Sequence, residues 1–420
     1  MTRTPDVLIL GGGVAGLTAA RDLSLAGTRV LVLEARDRLG GRVVTHHTPE
    51  GPVELGAEFV HGAFPEILGV VQEAGLRLRE SNLRSATAEH RERGNYFAAM
   101  DRILRLASLE AADESFQQLV DRADVEPEIK TRALRLVEGY HAADPGRTSV
   151  RALVRNTAAD ERPGADRQFR FADGYDSLVT AISQRANERE CEVRLNVVVT
   201  AIEWRQKQVV VRTTAGETFT APRVIVTVPL GVLKSGAIHF VPVLDAKQRA
   251  LSLLEMGTVA RVSLCFGGEF WSKQGRFSGD GFLFTGVSPF RVWWVSNPPP
   301  FPVITGWAAG PPASGLALLS EQERVDRAID AFAAVLEWDA LRLRHEVRVG
   351  FSHNWQADPF SRGAYSYAGV GGMDAGAELG EPVQGTIFFA GEATESDGQN
   401  ATVHGAIASA RRVAQEVLRA

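Results

Sequence analysis

Three glycines and one acid near the start of the chain have the types and spacing of a dinucleotide site. Gly11, Gly13 and Gly16 follow the apolar run Val7–Leu10, and Glu34 closes the next apolar run. Gly11 permits a tight turn, Gly13 lets the backbone approach a pyrophosphate, and Gly16 lets the next helix pack on the sheet. The N-terminus of that helix offers free N–H groups to phosphates. An acid about 20 residues after the turn accepts a hydrogen bond from a ribose 2′-hydroxyl, which disfavours NADP.

The segment that follows favours FAD over NAD, which the glycine turn alone leaves open. It reads EARDRLGGR over residues 34–42 and resembles the second half of the FAD fingerprint of glutathione-reductase-like flavoproteins. In that fingerprint an arginine in the place of Arg42 lies on the pyrophosphate, where a guanidinium binds bidentately. The predicted cofactor contacts in this part of the chain are Gly11, Gly13, Val14, Ala15, Gly16, Glu34, Ala35, Arg36, Gly40, Gly41 and Arg42.

The elements that must position these residues predict an α/β fold. Val7–Leu10 and Val30–Leu33 read as buried parallel strands. Residues 85–162 have helical spacing and predict a helical insertion, which either packs on the body or covers a site. Val259–Phe266 alternates as a half-buried strand, and Glu321–Leu336 is an amphipathic helix.

A chain of 420 residues predicts two domains. The first is a discontinuous FAD-binding Rossmann-like domain of the glutathione-reductase type, from residues 1–80, 165–240 and 375–420. The second is a substrate domain of mixed β-sheet flanked by helices, from residues 81–164 and 241–374. The cofactor domain is thus expected to use both ends of the chain and a middle piece.

Composition predicts a soluble globular protein. Hydrophobic residues make up 45%, charged residues 23%, and the net charge of −5 arises from interspersed signs, so we expect neither a nucleic-acid surface nor a polybasic membrane anchor. Cys191 and Cys265 lie in apolar runs and read as small buried hydrophobes. No apolar stretch reaches about 18 residues and no signal peptide is evident, so a cytoplasmic location is expected. Histidines and cysteines lack metal-ligand spacing, and no metal is expected.

Several motifs together resemble the FAD-dependent amine oxidases, the family of monoamine oxidase, polyamine oxidase and the lysine-specific histone demethylase. The resemblance runs nearly end to end and is least specific in residues 85–160. Besides the N-terminal segment, the motifs are ELGAEFVHG at 54–62, FADGYDSL at 171–178, the run at 224–251, ARVSLCFGGEFW at 260–271, NWQADPFSRGAYSY at 354–367 and FFAGEATESDGQNATVHGAIASARRVA at 388–414.

The resemblance implies further contacts with FAD. Gly391 would let the backbone approach the ribityl chain, and Glu392 would contact the ribityl or pyrophosphate portion. The last helix would begin under the flavin ring, where its N–H groups favour the negative charge of the reduced flavin. Ala364 stands where monoamine oxidases have the cysteine that tethers the flavin, which implies noncovalent FAD. The implied contacts are Gly56, Ala57, Glu58, Val198, Trp355, Tyr365, Gly391, Glu392, Ala401, Thr402 and Val403, with a plain core role left open for Val198 and Trp355.

On the substrate side, the resemblance implies four catalytic candidates: Arg261, Tyr365, His61 and Thr402. Tyr365 matches one of the two tyrosines of the monoamine oxidase aromatic cage, and Thr402 takes the place of the other. His61 would tune amine protonation near the substrate, or serve as a structural histidine. Glu58 would draw the second cation of a polyamine, or cap a turn.

Arg261 departs from the family pattern, which has a lysine bridged through water to flavin N5. An arginine effectively never loses its proton, although its fork can hold a water or bond N5 directly. The arginine therefore argues against a water relay that needs a neutral amine side chain at this position. It argues equally against fast reaction of the reduced flavin with oxygen.

The implied function is oxidation of a small-molecule amine to an imine, with hydride transfer to flavin N5 and reoxidation by O2 to H2O2. One alternative is an FAD dehydrogenase or desaturase of a non-amine or secondary-metabolite substrate, which Arg261 favours. Another is a flavoprotein that mainly binds a protein partner, as a histone-tail binder would.

Overall fold

The structure is a computed structural model that describes residues 4–81, 88–108, 110–160, 162, 164–165, 167–268, 281–297 and 302–420, without the side chains of residues 88–94, 160 and 297. The ends of the predicted helical insertion at 85–87 and 161, and the motif residues 269–271, lie outside the described residues.

The strands are short and follow one another along the whole chain. In chain order they are β1 (Val7–Leu10), β2 (Val30–Leu33), β3 (Thr45–Thr48), β4 (Gly51–Glu54), β5 (Val60–His61), β6 (Leu78–Glu80), β7 (Gln168–Phe171), β8 (Cys191–Arg194), β9 (Val199–Arg205), β10 (Gln208–Thr213), β11 (Thr218–Ala221), β12 (Arg223–Val226), β13 (His239–Val241), β14 (Leu254–Met256), β15 (Val259–Phe266), β16 (Phe282–Phe284), β17 (Val292–Asn297), β18 (Val303–Ala309), β19 (Val347–Phe351), β20 (Ser366–Ala368) and β21 (Ile387–Phe389).

Four of the helices form a block between β6 and β7, and the others are spread along the rest of the described chain. They are α1 (Val14–Leu25), α2 (Pro65–Ala74), α3 (Ala88–Leu104), α4 (Phe116–Arg122), α5 (Pro127–Gly139), α6 (Val150–Asp160), α7 (Asp176–Asn187), α8 (Leu230–Lys234), α9 (Asp245–Leu253), α10 (Glu321–Leu336), α11 (Ala340–Glu346), α12 (Ala375–Gly380) and α13 (Val403–Arg419), with 3₁₀ turns at Pro311–Leu318 and Glu392–Thr394.

A parallel sheet of order β21-β12-β1-β2-β8 carries the glycine turn. Val7 and Ile9 pack with α1 and α13 on one face, while Leu8 and Leu10 pack toward the sheet β11-β10-β9-β13 on the other. Because both faces are covered, β1 and β2 are wholly apolar, as the sequence predicts. All five strands fall within the three segments assigned to the FAD domain, although the domain boundaries themselves stay a prediction.

The second large sheet has the order β16-β17-β18-β15-β19. The prediction that Val259–Phe266 is half-buried is wrong, because all eight residues of β15 are buried. Val262 and Leu264 pack in one cluster with α10. The opposite, more polar face also meets protein, since Cys265 packs with Val53 of β4.

The predicted helical insertion is present as α3, α4, α5 and α6. These helices share an apolar cluster that includes Ile103, Phe116 and Val137, and Tyr367 from β20 joins it. The insertion therefore packs on the body of the protein, and several of its residues also face a cavity. Cys265 is buried as predicted, whereas Cys191, on the edge strand β8, stays partly exposed.

Candidate active site

The predicted cofactor and catalytic residues surround a cavity of about 700 Å³. With one exception, all of them contribute to its wall. The exception is Gly16, which lies behind the wall at the start of α1. A Cβ on Gly16 would lie only 1.9 Å from the carbonyl oxygen of Gly11, which fits its predicted role in helix packing.

The end of the cavity at α1 has the shape that a pyrophosphate requires. Gly13 and Gly40 are bridged as a parallel pair, and a Cβ on Gly41 would lie 3.3 Å from the Gly13 Cα. Gly13 is the N-cap residue and brings no side chain, so the first N–H groups of α1 stay open. Gly391 has φ +133°, and a Cβ there would meet no described atom within 4 Å, in the cavity wall. This cradle of glycines fits FAD.

Glu34 is fixed by the backbone around it. Its carboxylate is 3% exposed and accepts from the N–H of Gly12 at 2.6 Å and of Arg36 at 2.9 Å. An acidic acceptor held in this way at the end of β2 suits a ribose hydroxyl. Val198 lies in the same wall, where its carbonyl accepts from Thr214 at 2.9 Å.

Two of the three arginines in residues 34–42 tie the N-terminal segment to later parts of the chain. Arg36 donates to Asp358 at 2.8 Å, and Arg42 donates to the Ala364 carbonyl at 2.7 Å and to Glu392 at 2.8 Å. Hydrogen bonds from His353 and Arg36 outweigh burial and lower the pKa of Asp358.

Glu392 joins three segments of the wall. Besides Arg42, its buried carboxylate accepts from the Ser366 hydroxyl at 2.6 Å and from the N–H of Ala401 at 3.1 Å. Trp355 is also fixed, since its indole N–H donates to the Leu55 carbonyl at 2.9 Å.

Thr402 caps the N-terminus of α13, the helix that begins at the cavity. Its hydroxyl accepts from the N–H of Gly405 at 2.9 Å and donates to the Gln399 carbonyl at 2.6 Å. The hydroxyl is therefore engaged in the N-cap of α13, while the backbone N–H groups of the first turn lack intrahelical acceptors. Val403 places these N–H groups at the wall.

Glu58 lies between two arginines. Arg170 donates to it at 2.8 Å, Trp294 donates at 3.0 Å, and Arg261 forms a second ion pair with the same carboxylate. Burial alone would raise the pKa of Glu58, but the charges of Arg261 and Arg170 lower it below its usual range. The alternative that Glu58 draws a substrate cation is not supported, because this carboxylate is buried and already shared by two guanidiniums.

Arg261 is 3% exposed and forms part of the cavity wall. Its Nη1 donates to the Gly56 carbonyl at 3.0 Å and its Nη2 donates to Glu58. Its Nε is buried and has no hydrogen-bond partner among the described residues. One N–H of a permanent cation is thus left for a ligand or a water.

Aromatic rings enclose the other part of the cavity. Phe59 lies 5.6 Å from His61 and 5.5 Å from Trp294, and Trp294 lies 5.8 Å from Trp307. His61 lies 6.0 Å from Tyr140.

Tyr365 belongs to the same wall, and its hydroxyl donates to the Tyr140 carbonyl at 2.9 Å. Burial raises the pKa of Tyr365, so its phenol stays neutral.

Sequence reasoning missed several polar residues of the wall. His141 and His404 line it, and burial lowers their pKa values to about 4 and about 3. Glu138 accepts from Arg291 at 2.7 Å, and Gln168 is 1% exposed. Two of these residues left a signal in the sequence: Gln168 is a polar residue in the strand-like QFRF run, and His404 lies within the motif at 388–414.

Two features are absent from the described residues. Those residues contain no group of three or more His, Cys, Asp or Glu side chains able to hold a metal ion. None of the helices that they form has the length and apolar character needed to span a membrane.

Comparison with known proteins gives the family. The family described as flavin containing amine oxidoreductase matches residues 14–121 and 106–418. Polyamine oxidase 2 from Arabidopsis thaliana is 31% identical over 99% of this chain and 88% of its own length. Nicotine dehydrogenase from Pseudomonas putida is 28% identical over 98% of this chain and 88% of its own. Wild-type putrescine oxidase bound to putrescine has the same fold, with a TM-score of 0.81, 21% identity and 100% of both chains covered.

The chain therefore belongs to the flavin-containing amine oxidoreductases. It is an enzyme of this family, and its cofactor is FAD, into whose predicted site the glycine cradle and Glu34 fit.

Proposed function

We propose that this enzyme oxidises an amine that carries one positive charge and an apolar body. The supporting observation is that each of the four carboxylates in the described cavity wall has an arginine partner. The pairs are Glu34 with Arg36, Glu58 with Arg261, Glu138 with Arg291, and Glu392 with Arg42. No acid in the described wall is left to receive a second ammonium group, which disfavours diamines and polyamines.

The aromatic enclosure supports the apolar half of this proposal. Rings such as Phe59, Trp294 and Trp307 offer surface that excludes water and that contacts an amine through its hydrocarbon part. A ring face also attracts a single cation through its quadrupole. His141 and His404 are neutral because burial lowers their pKa values, so they add no charge near neutral pH.

The chemistry that FAD supplies when bound is acceptance of a hydride from the carbon next to nitrogen, with the electrons then passing to O2 to give H2O2. The protein residues bind the amine, exclude water and favour its neutral form, since a nearby permanent cation opposes an ammonium group. We assign this effect to Arg261, with Tyr365 and His61 as walls of the amine pocket. The resulting imine is hydrolysed by water. Ala364 offers no thiol, so FAD is held noncovalently.

An anaerobic panel tests the proposal. The holoenzyme is mixed with benzylamine, cyclohexylamine, putrescine and spermidine, and the visible flavin absorbance is followed. Bleaching by benzylamine or cyclohexylamine at lower concentration than by putrescine is expected. A flavin that none of these amines bleaches would refute amine oxidation, and a preference for putrescine would refute the assignment of one charge.

A variant tests the charge argument directly. Arg291→Met leaves the Glu138 carboxylate without its partner in the wall. The ratio of the putrescine concentration to the benzylamine concentration needed for half-maximal bleaching should therefore fall about tenfold. Arg344→Met, which removes an ion pair with Asp330 on the surface at 3.1 Å, is the matched control and should leave the ratio unchanged.

A second candidate function is an FAD dehydrogenase that uses an acceptor other than oxygen. Arg261 favours it, because a guanidinium bound to Glu58 cannot become a neutral base. The name of the related nicotine dehydrogenase is consistent with this candidate. Reoxidation of the reduced enzyme by oxygen and by dichlorophenolindophenol should be compared, since fast reoxidation by oxygen would exclude it.

A further inference from the structure

The side chain of Gln168 is a buried amide that lacks a hydrogen-bond partner in the part of the chain that the structure describes. Gln168 is the first residue of β7, it is 1% exposed, and it forms part of the cavity wall. Neither Oε1 nor Nε2 of its side chain has a hydrogen-bond partner among the described residues. Its main chain is engaged, since the carbonyl accepts from Ser81 at 2.8 Å. The side chain is therefore not needed to hold the strand in place.

An amide in this state is unfavourable unless something in the cavity satisfies it. Burying a polar group without a partner costs stability, and native proteins leave few such groups. Gln168 lines the cavity, so a ligand bound there can supply the missing partner. The position is thus typical of a ligand contact.

The surroundings of Gln168 belong to the amine pocket. Its cross-strand partner in the β5–β7 pair is His61. Directly paired residues on antiparallel strands have neighbouring side chains on one face. Arg170 lies two residues further along β7, on the same face as Gln168, and it binds Glu58. Gln168 therefore lies between the aromatic enclosure around His61 and the charged group around Glu58.

We propose that the Gln168 amide positions the substrate by accepting an N–H of its amine at Oε1. This inference rests on the proposed function, in which the substrate has an apolar body and its nitrogen is the polar group it brings. The oxygen of a neutral amide accepts a hydrogen bond from the substrate amine whether the amine is protonated or neutral. It therefore binds the substrate nitrogen without holding a positive charge there. Gln168 is a residue that fixes the position of the reacting nitrogen and does not itself take part in the chemistry.

The variant Gln168→Met tests this in the holoenzyme, because methionine keeps the length and removes both polar atoms. Anaerobic flavin reduction is followed against the concentration of the panel amine that bleaches the wild-type flavin most readily. The Kd for that amine should rise about tenfold. The melting temperature without amine should stay the same or rise, because an unsatisfied amide has been removed.

Two further variants complete the test. Gln168→Glu keeps the acceptor oxygens, so its Kd should stay closer to that of the wild type than the Kd of Gln168→Met. Gln118→Met is the matched control, since Gln118 lies outside the cavity wall and its side chain accepts from Ser115 at 3.0 Å. It should lower the melting temperature and leave the Kd unchanged.

The outcomes separate the two proposals. A wild-type flavin that no amine bleaches refutes the proposed function and this inference with it. Bleaching of the wild type with an unchanged Kd in Gln168→Met refutes the role of Gln168 alone. A melting temperature that falls by several degrees in Gln168→Met would show that the amide has a structural partner, which also refutes it.

Discussion

Arg261 and Glu58 form an ion pair inside the protein, with side chains only 3% and 2% exposed. A second arginine, Arg170, binds the same carboxylate at 2.8 Å. Three charges are thus buried together and leave one net positive charge beside the cavity, in whose wall Glu58 and Arg261 lie. Removing charges from water is costly, so such a group persists only where its members satisfy one another.

Glu58→Gln should destabilise the protein strongly. The substitution leaves two guanidiniums buried without a counter-ion, and breaking a buried ion pair in this way costs about 3–5 kcal/mol. Thermal unfolding of the holoenzyme measures the effect. The matched control is Glu80→Gln, whose ion pair with Arg167 is about half exposed on both sides and should cost at most about 1 kcal/mol. Equal losses in the two variants would contradict the view that burial makes the Glu58 group critical.

Gly391→Ala should weaken FAD binding. Gly391 has φ +133° and lines the cavity, so a Cβ both strains the backbone and projects toward the predicted ribityl site. Gly27→Ala is a close control, since Gly27 also has a positive φ and an unobstructed Cβ direction but lies outside the wall. Both variants should lose stability, by about 1–3 kcal/mol, because a non-glycine residue is strained at a positive φ. Flavin content after dialysis should fall only in Gly391→Ala, and retention of full FAD there would count against this part of the cofactor site.

Thr402→Ala should destabilise α13 by about 1 kcal/mol, because the hydroxyl caps the N–H of Gly405. Thr402→Ser keeps the cap and should restore the melting temperature. Anaerobic bleaching by benzylamine then distinguishes the two roles of the residue. If Thr402→Ser is as active as the wild type, the methyl group is not needed. If Thr402→Ala is equally active, the hydroxyl acts as a cap and the predicted catalytic role is wrong.

His404 should make the protein sensitive to acid. Burial, with a smaller effect from His61, lowers the pKa of His404 to about 3 in the folded protein, against about 6.5 in an unfolded chain. Between these values the unfolded state binds a proton that the folded state does not. Stability is therefore complete above about pH 6.5 and declines as the pH falls toward 3.

His404→Phe tests this dependence, because a phenyl ring can keep the stack on Phe64, whose ring centroid lies 4.5 Å away. The loss of melting temperature between pH 7.5 and pH 5 should be smaller in the variant than in the wild type. His239, which is exposed on β13, provides the control His239→Phe, and the wild-type pH dependence should persist there. Identical profiles in His404→Phe and the wild type would argue that His404 does not titrate as stated.

Local patterns predicted much of the fold. The strands Val7–Leu10 and Val30–Leu33 and the helix Glu321–Leu336 match the structure to the residue, since an apolar run or a 3.6-residue period defines each. The burial of β15 did not follow from its pattern, because alternation shows that the two faces differ and not what covers them. The more polar face of Val259–Phe266 meets other protein segments and a cavity.

The sequence also did not predict which distant residues form ion pairs and hydrogen bonds with one another. Arg261 departs from the family pattern, but its partner Glu58 lies 203 residues away, and the sequence presents Glu58 as a flavin contact, a site for the second cation of a polyamine or a turn cap. Gln168 was not singled out, because its significance lies in the partners that it lacks. Such a deficit becomes visible only when every neighbour has been placed.

The order β21-β12-β1-β2-β8 has a consequence for how the protein is made. The first strand leaves the ribosome long before β12 and β21, and α1 emerges long before α13, against which it packs. The apolar faces of β1 and α1 are therefore without their partners during most of synthesis, a period in which chaperones can protect them. The cavity can be complete only after Gly391 and Thr402 have been synthesised, because both residues form part of its wall.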